Sequence, residues 1–162
     1  MIDLRPATID DATACQEIYA PFVTDNWVSF ETEVPSVEEV ARRIATYSST
    51  HAWILAEING VCAGYAYGTQ HRSRASYRTS CDIAVYVKPA FVRCGIGRAL
   101  YADLLPRLRQ LGYHAAFAGI ALPNAASIGL HEAMGFTLVG IYREVGWKYG
   151  SWRDVGWWQR LL

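Results

Sequence analysis

No stretch of this sequence stays apolar for anything near the about twenty residues that a bilayer-crossing helix needs. Charge of one sign is not in excess either. Lys plus Arg and Asp plus Glu both number 15, so the chain lacks the basic field that non-specific nucleic-acid binding requires. Cysteine is scarce and wrongly spaced for chemistry: Cys15, Cys62, Cys81 and Cys94 form no CxxC or CxxxxC pair, which excludes the usual zinc and redox motifs. Reduced thiols in mostly buried positions are the simple reading. The opening MIDLRPATIDD carries Asp3, Asp10 and Asp11 and no apolar run before a small-residue cleavage site, so it does not read as a secretory signal. Together these absences predict a cytoplasmic protein with no membrane, nucleic-acid or metal partner. No repeat, linker or low-complexity segment divides the chain, and residues 1–162 read as a single domain.

The residues that are present describe strands and helices in a clear order. IDLRPA reads as a first strand, and Asp10 and Asp11 offer an N-cap to a helix with Ala14, Ile18 and Phe22 on one stripe, stopped near Pro21 to Val23. Ser36 precedes Glu39 by three residues, a capping-box pattern opening a second helix with Val40 and Ile44 inward. AWILAEINGVCAGYAYGT is two apolar strands joined at Asn59-Gly60, a strong hairpin signal. A further strand, Ser80 to Val87, leads into a helix from Gly95 to Leu111 with Ile96, Leu100, Leu104, Leu108 and Leu111 as its stripe. Gly112 stands where a C-terminal cap belongs, and Pro106 is expected to kink this helix or move its start. A buried strand, a helix ending at Gly135 and two Trp/Tyr-rich strands complete the chain. An antiparallel hairpin feeding βαβ units predicts an α/β fold, a mixed sheet with helices on its faces.

One turn stands out chemically. In VRCGIGRAL, Gly95 and Gly97 bring backbone N–H groups to a helix start, where donors lack partners and the dipole favours negative charge. A dinucleotide fingerprint would need a third glycine where Leu100 stands, and a Walker loop would need Gly-Lys-Ser/Thr. A glycine-bearing helix start without a ligand is the alternative. Arg93 and Arg98 flank the glycines, and two guanidinium groups beside free amides favour a pyrophosphate.

VRCGIGRAL resembles the pyrophosphate loop of the GNAT acetyltransferases, and the order of elements is similar to that fold along nearly the whole chain. SFETEVPSVEE, LPNAASIGLHEAMGF and GWKYGSWRDVGWWQR resemble segments of the phosphinothricin and methionine sulfoximine N-acetyltransferases. The resemblance implies a mixed, mostly antiparallel sheet with helices on both faces and acetyl-CoA as cosubstrate. The coenzyme would be held by Val85, Tyr86, Val87, Arg93, Cys94, Gly95, Ile96, Gly97, Arg98 and Asn124. Val92 stands where the family carries Gln or Arg, which removes one polar contact. The implied reaction is acetyl transfer to the α-amino group of a small amino acid. Other amines, such as a peptide N-terminus or a polyamine, and a non-catalytic acyl-CoA sensor are the alternatives.

Asp82 lies inside the apolar run CDIAVYV, where a carboxylate must be hydrated, paired or hydrogen-bonded. It is either a solvated strand-edge residue or, as the resemblance implies, the general base in place of the branch's glutamate. One methylene shorter, it reaches about 1.5 Å less far, which favours a water relay. His131 follows Asn124 by seven residues on one helix face and is either a satisfied helical histidine or the acid that protonates the thiolate. Asn124 reads as pantetheine contact, N-cap, or both. Arg72 and Arg74 form a solvated basic loop or, as the resemblance implies, a clamp on acceptor oxygens, with Phe30 and Glu31 as the opposite wall. Lys148 and Tyr149 are implied near the acceptor, possibly across a homodimer interface built on the tryptophan-rich C-terminal strands.

Overall fold

The computed structural model describes residues 1–162 and has the element order read from the sequence. Strand β1 (Asp3–Pro6) leads to helices α1 (Ala12–Thr24) and α2 (Val37–Ser48), then to strands β2 (Trp53–Ile58), β3 (Val61–Gln70) and β4 (Ser80–Val87). Helix α3 (Ile96–Gln110), strand β5 (Ala115–Ala121) and helix α4 (Ala125–Ala133) follow, and β6 (Thr137–Lys148) and β7 (Ser151–Leu161) form the last hairpin. One seven-stranded sheet runs in the order β1-β2-β3-β4-β5-β7-β6. Every neighbouring pair is antiparallel except β4 and β5, so the sheet is mixed and mostly antiparallel. At the β2–β3 hairpin both Asn59 (φ 51°) and Gly60 (φ 75°) are left-handed, the turn that matches strand twist.

Alternation along β2 divides the interior into two layers. Ile54 and Ala56 belong to a cluster with Leu100, Leu104 and Leu108 of α3, whereas Trp53 and Leu55 join Ile18, Tyr19, Val40 and Ile44 of α1 and α2. Helices therefore cover both faces of the sheet. The three leucines of α3 have no exposure, and burial of each stabilises the fold by about 1.5–3 kcal/mol. No helix is long and apolar enough to cross a membrane.

Several local expectations shift by a turn or less. The stripe of α1 is Ala12, Cys15, Ile18, Tyr19 and Val23, with Ala14 and Phe22 half-buried at its margin. That of α3 includes Tyr101 and Leu105 and omits Leu111, which is outside the helix and 53% exposed. Neither Pro21 nor Pro106 stops its helix. The carbonyls they leave without a partner belong to Glu17 and Ala102, both exposed, so water satisfies them. Ser36 accepts from the Glu39 N–H, but the Glu39 carboxylate pairs with Arg42 and Arg43 instead of closing the capping box. Asp11 occupies the N-cap position of α1, with its carboxylate taken by Arg5 and the Thr8 N–H. The four thiols are free, and Cys94 is exposed.

Candidate active site

The parallel pairing of β4 with β5 covers only Ser80, Cys81 and Asp82, opposite Ala115, Ala116 and Phe117. Beyond that point β4 continues to Val87 and β5 to Ala121 with no register between them, so the sheet opens in a V. Lys88 N–H donates to the Ala63 carbonyl. The antiparallel alternation then points the N–H groups of Tyr86 and Ala84 toward β3 and those of Val85 and Val87 toward the open side. An acyl carbonyl placed in the V would meet unpaired donors.

The loop after β4 leaves backbone amides free at a helix start. Gly95 caps α3 at φ 79°, and Arg93 is also left-handed at φ 63°, a conformation that costs a non-glycine residue about 1–2 kcal/mol and concentrates at functional loops. The N–H groups of Gly95, Ile96, Gly97 and Arg98 have no backbone acceptor. Arg93, Cys94 and Arg98 are exposed, Ile96 is buried as the helix's first core residue, and neither guanidinium is paired with a carboxylate. Gly97 serves a second purpose: a Cβ there would come within 2.8 Å of Leu130 on α4, so its absence lets α3 and α4 approach.

Two adjoining cavities occupy the V and the surface beside it. The smaller, about 70 Å³, touches Val85, Tyr101, Asn124, Ser127 and His131. Asn124 accepts from the Ser127 N–H at 3.1 Å, so it is the N-cap of α4 and its amide N–H₂ remains available. His131 is buried, with Nδ1 2.7 Å from the Ser127 carbonyl and Nε2 2.9 Å from the Tyr101 hydroxyl. A carbonyl only accepts, so Nδ1 carries the proton and Nε2 accepts from Tyr101. Burial also lowers the pKa of His131, which keeps the ring neutral. The imidazole expected to protonate a thiolate thus has its one N–H engaged, the Tyr101 proton is engaged by Nε2, and the hydroxyl proton left free at this cavity is that of Ser127.

The larger cavity, about 650 Å³, has Asp82 and Thr69 in one wall and Phe30 and Glu31 in another, with Tyr67, Tyr142, Val145 and Trp157 among its remaining lining. Burial pushes the Asp82 carboxyl above its ordinary range, and the hydrogen bond from His71, Nδ1 to Oδ1 at 2.6 Å, pulls the other way. Asp82 is thus a base stronger than a surface carboxylate. Glu31 is different: its carboxylate accepts from both Arg43 nitrogens, at 2.6 and 3.1 Å, and from the Tyr19 hydroxyl. These donors, Arg43 first, lower its pKa, so the carboxylate in this wall is ionised and already paired. Arg72 and Arg74 are exposed on the loop after β3, and Arg72 reaches only the neighbouring His71 carbonyl.

Lys148 and Tyr149 do not line either cavity. The buried Lys148 ammonium donates to the Ser29 carbonyl at 2.5 Å, and the Tyr149 hydroxyl donates to the Thr24 carbonyl. Both staple the β6–β7 hairpin to the end of α1 and the segment after it, which carries Phe30. That segment also leans on Gly146, where a Cβ would overlap the Phe30 ring. Gly146→Ala is expected to displace Phe30, raise KM for the acceptor about fivefold or more, and leave KM for the coenzyme and the melting temperature nearly unchanged, because a ring edge yields at little cost. Bisubstrate kinetics on the variant check this.

The residue that pattern reading missed is His71. Its signal lay in register: Thr69 pairs with Asp82, so His71, one residue past the end of β3, lies diagonally across from that carboxylate. No cluster of three or more His, Cys, Asp or Glu side chains stands ready for a metal ion.

A helix start with free amides thus stands beside a splayed strand pair, and the acetyltransferase (GNAT) domain matches residues 4–157. The chain belongs to the GNAT acetyltransferases. Among its GNAT relatives, the phosphinothricin N-acetyltransferase of Streptomyces viridochromogenes is 36% identical over 98% of this chain and 87% of its own length. An L-methionine sulfoximine/L-methionine sulfone acetyltransferase of Salmonella typhimurium is 35% identical over 98% of this chain and 94% of its own. The fold superposes on a phosphinothricin acetyltransferase of Sinorhizobium meliloti solved with acetyl-CoA, at a TM-score of 0.95 and 34% identity, covering 99% of this chain and 88% of that one.

Proposed function

We propose that residues 1–162 act as one GNAT domain that transfers acetyl from acetyl-CoA to the α-amino group of a small amino acid, with phosphinothricin, methionine sulfoximine and methionine sulfone as the prototype acceptors. The observation that carries this reading is Asp82, a carboxylate of raised proton affinity in the wall of a 650 Å³ cavity that adjoins the splayed end of its own strand. The relatives named above act on acceptors of this class.

Acetyl-CoA, when bound, supplies an activated acyl carbon and a thiol leaving group. The unpaired amides from Gly95 to Arg98, with the Arg93 and Arg98 guanidiniums, fit its pyrophosphate, and the Asn124 amide fits the pantetheine arm. Val85 and Val87 present N–H groups where the acyl carbonyl belongs. Asp82 takes a proton from the acceptor's ammonium, directly or through water. The unpaired Arg72 and Arg74 serve the acceptor's carboxylate and second polar group, and Phe30 packs on its methylenes. The Ser127 hydroxyl, which lines the same cavity as His131, offers a proton to the departing sulfur.

The test is release of free thiol from acetyl-CoA across a panel of amino acids, their sulfoximines and sulfones, polyamines and peptides. Turnover confined to polyamines or peptides overturns the acceptor assignment, and coenzyme binding without any turnover favours the sensor alternative. The β6–β7 hairpin exposes Leu138, Ile141, Trp147 and Trp152, large apolar side chains that support a homodimer built on it. Sedimentation should give about twice the 18.1 kDa chain mass, reduced to the monomer in Trp152→Glu.

A further inference from the structure

A carboxylate accepts a substrate proton efficiently only when one oxygen is presented and the side chain is kept from turning away, and an aspartate's terminal torsion is broad. Asp82 Oδ1 is 2.6 Å from His71 Nδ1, and Oδ2 has no protein partner. The imidazole is itself immobilised. It stacks on Phe117 with centroids 4.4 Å apart and 17° between planes, and it meets Tyr77 and Trp157 edge-on at 5.9 and 6.4 Å. Its side chain is only 12% exposed and does not line the cavity that Asp82 lines. Ring and carboxylate therefore form a layered support behind the cavity wall.

We propose that His71 is a positioning residue for acetyl transfer: its Nδ1–H holds Asp82 Oδ1 and leaves Oδ2 to receive the proton of the acceptor ammonium. In that step the ammonium N–H bond breaks, its electron pair stays on nitrogen as the nucleophile, and the proton resides on Oδ2, directly or through one water, until it is lost to solvent. The proposal rests on the acetyl-transfer reading above.

The groups around Asp82 are few. β3 contributes Tyr67, the following loop His71, Arg72 and Tyr77, β4 its neighbour Cys81, and the far cavity wall Tyr19, Glu31, Tyr86 and Tyr142. β5 and β7 present Phe117 and Trp157, which do not titrate. Of these, His71 alone hydrogen-bonds the carboxylate. Removing its donor withdraws support from the ionised form, so Asp82 should bind its proton more tightly.

The experiment begins with the free protein, following the Asp82 carboxyl carbon by ¹³C NMR against pH, assigned by its loss in Asp82→Asn. His71→Phe keeps an aromatic ring against Phe117 and lacks the donor, and its Asp82 midpoint should rise by about one pH unit or more. His71→Asn places a side-chain N–H where Nδ1–H was and should stay near wild type. With acetyl-CoA and phosphinothricin, the acidic limb of kcat/KM should move up in pH in His71→Phe, with kcat at neutral pH about tenfold or more below wild type and KM for acetyl-CoA unchanged. A packing role would lower the rate at every pH and move neither midpoint nor limb, and that result in His71→Phe overturns the proposal. If that variant does not fold, His71→Leu replaces it with the same expectations. A midpoint that moves in a protein with no turnover would overturn the acetyl-transfer reading while supporting the hold of His71 on Asp82.

Discussion

Asp82→Asn is expected to lower kcat about a hundredfold or more, some 2.7 kcal/mol of barrier, while the fold and the affinity for acetyl-CoA are kept. Asn matches Asp in shape and can still meet His71, so the sheet has no reason to change. What it lacks is the negative oxygen that binds the ammonium proton. Burial of Asp82 raises its proton affinity and the His71 hydrogen bond offsets the gain only in part, so the carboxylate holds a proton more tightly than an exposed one, as a base requires. Asp82→Glu should fall between the two: the longer acid carries the carboxylate about 1.5 Å onward and away from the His71 N–H. The measurement is single-turnover acetylation of phosphinothricin with thiol release followed. A rate for Asp82→Asn within threefold of wild type across pH would show that the proton leaves by another route.

Gly95→Ala is expected to weaken acetyl-CoA binding about tenfold or more. At φ 79° the alanine costs about 1–2 kcal/mol, a few degrees of melting temperature in a chain of this size. No atom stands within 4 Å of the added methyl, so the protein should still fold. The methyl would nevertheless intrude on the N–H groups meant for the pyrophosphate, and loss of one charge-assisted hydrogen bond is worth about 1.5–3 kcal/mol. Gly97 is a poorer place for this test, because a side chain there collides with Leu130 and mixes a packing defect into the result. Calorimetric titration with coenzyme A decides, and unchanged affinity for Gly95→Ala would remove this loop from the coenzyme site.

How much of this was legible beforehand depended on distance along the chain. Hydrophobic spacing located each strand and helix, since a helical stripe or a strand alternation repeats within a few residues. Proline misled because its effect depends on solvent: Pro106 frees a carbonyl that water can satisfy, a fact of the exposed side of α3 and not of the sequence around it. The glycine turn and the carboxylate in CDIAVYV also announced themselves locally, and the family resemblance gave them a shared purpose.

By itself, then, the sequence determined the order of elements, the two-sided burial of the sheet and the helix start with free amides, all encoded in residues a few positions apart. Only the tertiary structure decided where β4 parts from β5, that Glu31 gives its charge to Arg43, that Lys148 holds the Phe30 segment, and that His71 stands behind Asp82. Those contacts join residues up to 119 positions apart. The strand residues among them, Asp82 and Lys148, owe their facing to register and to the divergence of one strand pair, and a single residue of slip would have sent either side chain to the opposite face.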